Sequence, residues 1–119
     1  MNELVKRLSK KEHPVWANRP DKSVKALQER IDLNYVRILF EETGTEIGIK
    51  LDRDKCDFSK ANFEKKTGKV HFEGALTLNY DKVKCIADIS IRTMKGKGRL
   101  QLIENGAEYD RIINTENVV

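Results

Sequence analysis

A chain of 119 residues and 13.7 kDa can build one hydrophobic core, and 39% hydrophobic against 35% charged residues excludes the composition of a disordered chain. The formal charge of +4, from 23 Lys and Arg against 19 Asp and Glu, excludes a polycation, so the positive groups matter only where they cluster. Cys56 and Cys85 are too few for a disulfide framework and read as reduced thiols.

In MNELVKRLSKKEHP, Leu4, Val5 and Leu8 recur at helical spacing, Asn2 can cap, and Pro14 discourages continuation past His13. That predicts a short amphipathic helix over residues 3–12. Its apolar stripe is too narrow for a membrane-surface helix, and no apolar run here or elsewhere reaches signal-peptide or membrane-span length, so the expected compartment is the cytoplasm. His13, Pro14, Trp16 and Pro20 read as a linker pinned by the tryptophan. A second helix is predicted from about Lys22 to Leu33, with Asp21 as N-cap and Val24, Leu27 and Ile31 on one stripe.

From Asn34 the period changes to two. A Thr43-Gly44 turn is expected to pair Phe40 with Ile47, Ile38 with Ile49 and Val36 with Leu51. The link over residues 53–68 lacks strand character; Phe58 and Phe63 bracket Ser59 at hydrophobic-staple spacing, which predicts a short helix that Gly68 stops. Next, Val70, Phe72, Leu76, Leu78 and Tyr80 share a face with Val83, Cys85, Ala87, Ile89 and Ile91. A turn at Asp81-Lys82 sets Phe72 opposite Ile91 and, on the other face, His71 opposite Arg92 and Glu73 opposite Ser90.

The stretch RTMKGKGRLQ has lysines and glycines like a phosphate loop, but no helix follows it and Lys97 is not followed by Ser or Thr. It reads as a hairpin turn at Met94–Lys97 that pairs Ile91 with Leu100 and Ile89 with Leu102. Asn105-Gly106 signals a further type I′ hairpin with Leu102 opposite Tyr109.

The expected domain over residues 1–119 therefore has a helical part (1–33), an antiparallel sheet (34–113) and a polar tail (114–119). Its fold class is α+β, two N-terminal helices packed on one face of a twisted, mostly antiparallel sheet of about six strands in three hairpins. These registers bring Lys69, His71, Arg92, Lys95, Lys97 and Arg99 to one sheet end as an anion-binding cluster. The expected function is a non-enzymatic binding module that meets RNA, DNA or an acidic protein surface there.

Two alternatives stand beside it. His71, Glu73 and Arg92 are the base, acid and cation of a metal-independent ribonuclease, and helices followed by an antiparallel sheet are the layout of small microbial ribonucleases. A charged sheet face also suits a small inhibitor or immunity-type protein docking one partner. No cofactor is implied and no metal. DRDKCD starts like a calcium loop but fails at Asp57 and Phe63, and His13, Cys56, His71 and Cys85 lack zinc-ligand spacing.

Overall fold

The computed structural model describes residues 2–17 and 23–114. Along the chain come α1 (Glu3–Ser9), β1 (His13–Ala17), α2 (Val24–Asp32), β2 (Tyr35–Phe40), β3 (Thr45–Leu51), β4 (Ala61–Asn62), β5 (Thr67–Leu78), β6 (Asp81–Ser90), β7 (Lys95–Leu102) and α3 (Gly106–Ile113). The expected N-cap Asp21, the expected helix start at Lys22, Pro20 and the tail beyond Asn114 lie outside the described residues.

The strands run β3-β2-β1-β7-β6-β5, and β3 meets β5 through Lys50–Ala75 and Leu51–Gly74, closing an antiparallel barrel of six strands. β4 is an extra strand on β5. This overturns the α+β expectation of helices covering an open sheet. The physical reason is β1, which pairs with β2 on one side and β7 on the other, so the apolar face rolls up and covers itself. Inside, Phe40, Phe72, Ile38, Ile49, Ile89 and Leu100 pack across the barrel. The helices remain as predicted in their apolar stripes: Val5 and Leu8 of α1, and Val24, Leu27 and Ile31 of α2, join that same core.

β1 was expected as linker. Its burial nevertheless alternates, His13, Val15 and Ala17 inward against Pro14 and Trp16. Pro14 has no N–H to donate, and its carbonyl accepts from the Glu41 N–H at 3.2 Å. Buried His13 then ties three elements, with Nε2 3.1 Å from the Arg7 carbonyl of α1 and Nδ1 3.0 Å from Glu42 in the β2–β3 turn. α1 starts as expected, Asn2 Oδ1 accepting from the Leu4 N–H, but stops at Ser9; α2 is capped by Ser23, whose Oγ accepts from the Ala26 N–H.

The three predicted registers whose strands form slip by an even number of residues. Phe40 faces Thr45 and Ile38 faces Ile47; Phe72 faces Ala87, not Ile91; Ile89 faces Gly96, not Leu102. An even slip keeps every side chain on its face. The predicted inward set of β5 and β6 is therefore correct from Val70 to Leu76 and from Val83 to Ile91, although the cross-strand partners are not. The cause of the β5–β6 slip is the turn itself. Asn79 and Tyr80 both take positive φ (49° and 71°), a two-residue turn between Leu78 and Asp81, and Tyr80 leaves the core.

Two further elements differ. Asn105-Gly106 opens α3 instead of a hairpin, since Asn105 Oδ1 accepts from the Ala107 N–H as an N-cap. α3 lies outside the barrel, Ile112 against Ala75 and Ile103, and Arg111 holds buried Asp52 through two contacts of 2.9 and 3.3 Å. The predicted helix after Ser59 is a loop with β4: Asp57 Oδ1 accepts from both the N–H and hydroxyl of Ser59, and Gly68, at φ 85°, approaches the Lys60 carbonyl. Phe58 and Phe63 still pack on the core.

Candidate functional site

The six predicted anion-binding residues fall on the outer face of the barrel but on different elements. Lys69 and His71 lie on β5, Lys95, Lys97 and Arg99 on β7, and Arg92 in the turn between β6 and β7. β6 separates the two groups by about 9.5 Å, twice the interstrand spacing. The register also places carboxylates among them: His71 faces Asp88, and Asp88 faces Lys97. The expected pairing of His71 with Arg92 is replaced by this alternation of sign.

His71 is the centre of the β5 group. Its Nε2 lies 2.8 Å from Glu73 Oε2 and its Nδ1 2.9 Å from Asp88 Oδ1, so a charged ring donates to both carboxylates. Its backbone pairs with Asp57, and Asp57, Lys60, Lys69, His71 and Asp88 line a cleft of about 250 Å³. Partial burial works against a charged imidazole, yet the hydrogen bonds to Glu73 and Asp88 and their charges outweigh it, and the His71 pKa is raised. Of the ribonuclease constellation, the structure thus brings His71 and Glu73 together as an ion pair and gives Arg92 no place opposite them.

A raised folded pKa has a definite sign. The stabilisation from charged His71 is complete below the unfolded value of about 6.5 and is lost as pH rises through the folded value. The unfolding midpoint should fall across that window, and His71→Gln should remove this part of the slope. Equal slopes in the two proteins would show that the ring is uncharged in the fold.

The two cysteines are free thiols, as expected. Burial pushes Cys85 up to about 12 and Cys56 up to about 11, which leaves neither as a nucleophile. Among the described residues no group of side chains could hold a metal ion, and no helix is long and apolar enough to cross a membrane.

A second surface was not visible in the sequence. β3 pairs with β2 along its whole length but with β5 only at Lys50 and Leu51, so Thr45–Ile49 presents an open backbone edge. Between that edge and the end of β5 runs a groove of about 340 Å³, lined by Tyr35, Glu46, Gly48, Leu78 and Tyr109 among others. The Tyr35 hydroxyl lies where a Gly48 side chain would begin, which spreads the half-exposed ring over β3. Beyond the groove Tyr80 is 100% exposed while held in a left-handed turn conformation. A bulky residue in that conformation costs about 1 kcal/mol or more and here packs on nothing. The Asn79 before it, tolerant of positive φ, was the available sequence signal for this turn.

The family model described as Core binding factor beta subunit matches residues 1–118. No curated protein matches the chain.

Proposed function

We propose that this chain, which belongs to the core binding factor beta subunit family, binds a Runt-domain transcription factor through the open β3 edge and the exposed tyrosines beside it. It is a non-enzymatic, protein-binding module of the transcription co-factor kind. The observation that carries the reading is Tyr80. A fully exposed aromatic ring in a strained turn makes sense as an anchor that is buried only in a complex. The groove beside the unpaired β3 edge reaches Leu78, two residues before Tyr80; that edge supplies main-chain donors and acceptors, and Tyr35 and Leu78 supply apolar area, the combination used when a partner segment adds to a sheet edge.

The test separates binding from folding. Tyr80→Ala removes no internal packing, so its unfolding midpoint should match the parent protein. Its affinity for a Runt domain should drop about 30-fold, as for a hot-spot side chain worth roughly 2 kcal/mol. Unchanged affinity, measured by titration calorimetry, would exclude this face.

A further inference from the structure

We infer that Tyr109 of α3 is a positioning residue for the Tyr80 anchor: it braces the β5–β6 turn from outside the barrel, so that the Tyr80 ring is held ready before a partner arrives. The inference rests on the partner-binding reading above and names what prepares that same face.

The turn needs a support. Asn79 and Tyr80 both take left-handed backbone conformations, at φ 49° and 71°, and the fully exposed Tyr80 ring has no packing to hold it there. Such a conformation persists where the surrounding structure over-determines it. The surroundings are two cross-strand pairs, Leu78 with Asp81 and Thr77 with Lys82. Both lie beyond the neighbouring ladders: β3 pairs with β5 no further than Ala75, and β7 pairs with β6 no further than Val83. One more backbone bond, from the Ile103 N–H to the Lys82 carbonyl at 2.8 Å, reaches past that limit.

Side chains from two helices secure what the ladders leave. At the first pair, Asp81 Oδ2 accepts from the N–H of Asn2, the N-cap of α1, at 2.9 Å. At the second, the Tyr109 hydroxyl lies 2.7 Å from the Thr77 hydroxyl, and the Lys82 ammonium sits 4.9 Å from the centroid of the Tyr109 ring. Tyr109 thus spans both strands of the hairpin one pair back from the turn. Its own helix is fixed: Ile112 is buried against Ala75 and Ile103, Arg111 pairs with Asp52 just past the end of β3, and Glu108 reaches Lys84 of β6 at 3.5 Å. α3 therefore carries Tyr109 as a rigid post.

A turn that samples other conformations presents Tyr80 for only part of the time, and apparent affinity falls by that fraction. Losing the bond between the Tyr109 and Thr77 hydroxyls should weaken partner binding about 5-fold, the factor that one ordinary hydrogen bond supports. Tyr109 also lines the groove beside Tyr35 and Leu78, so direct contact with the partner is the competing explanation.

The experiment combines NMR relaxation dispersion on the free full chain with titration against a Runt domain. Tyr109→Phe keeps the ring and removes the hydroxyl; Thr77→Val removes the hydroxyl it meets. In the free protein each variant should show millisecond exchange at the Asn79, Tyr80 and Asp81 amides that the parent lacks. Each should bind about 5-fold more weakly, and the double variant no more weakly than either single one, because the two hydroxyls serve one bond. Additive losses would mean that Tyr109 meets the partner directly, and would overturn the inference. Turn amides as still in Tyr109→Phe as in the parent would do the same. Parental affinity in Tyr109→Phe also overturns it, and Tyr80→Ala then locates the failure. A loss of about 30-fold there leaves the anchor standing and removes only the brace, whereas parental affinity in both variants removes the partner-binding reading as well.

Discussion

Gly96→Ala should lose about 3 kcal/mol of stability or more, the upper end for forcing an atom into a packed site. A Cβ at this position would stand 1.7 Å from the Asp88 carbonyl oxygen and 2.8 Å from its carbon. Those are backbone atoms of β6, and β6 is paired on its far side with β5 through Asp88 and His71, so it has no room to retreat. Two control glycines grade the effect. At Gly98 the nearest atom is the Ala87 Cβ at 3.1 Å, which asks for a smaller adjustment; at Gly106, the first residue of α3, nothing lies within 4 Å. Gly106→Ala should therefore be neutral or stabilise by up to about 1 kcal/mol through the unfolded chain. Denaturant midpoints in the order Gly106→Ala, Gly98→Ala, Gly96→Ala, highest to lowest, are the expected result. A Gly96→Ala protein as stable as its parent would refute the β6–β7 register.

Phe72→Ala should remove about 3–5 kcal/mol, the range for truncating a fully buried aromatic side chain. Phe72 is 0% exposed, sits opposite Ala87 on β6, and meets the Phe58 ring edge-on at a centroid distance of 5.9 Å. Phe58 is one of the groups that fix the long β3–β5 connection to the barrel, beside Phe63 and the Asp57–His71 pairing. The variant should thus also speed hydrogen exchange in the segment around Phe58 more than in β2. A loss under about 1 kcal/mol would mean that the ring is not central to the core.

The core was largely legible in the sequence because alternation reports which face a residue occupies, and a register slip of two, four or six residues leaves that face unchanged. Val70, Phe72, Val83, Cys85 and Ile89 were placed inward for that reason and are inward. Registers were not legible, because they depend on turn conformation. Asn79 and Tyr80 make the β5–β6 turn by taking positive φ, which a tyrosine does not advertise. β1 escaped because five residues that include Pro14 carry too short an alternation to outweigh the proline. Without β1 the sheet has no means of closing, so an open sheet under helices was the consistent but mistaken reading. The candidate site suffered from the same errors. Cross-strand neighbours of His71 and Lys97 follow from register, and the exposed Tyr80 follows from the turn; neither can be read from residue type alone.

The position of β1 between β2 and β7 also sets an order of events during synthesis. His13 and Gly98 are neighbours in the barrel, yet one leaves the ribosome roughly 85 residues before the other. At about 5–20 residues per second, β1 waits about 4–17 s for its second partner. The segment from β1 to β3 can pair in the meantime, whereas the ring closes only when β7 emerges to join β1 and β5 reaches β3. Closure is thus a late, long-range step, slow for the same topological reason that makes β structures fold slowly. A nascent chain halted before β7 would expose Val15 and Ala17 on a sheet with an open edge, the kind of surface that chaperones retain and that other strands find.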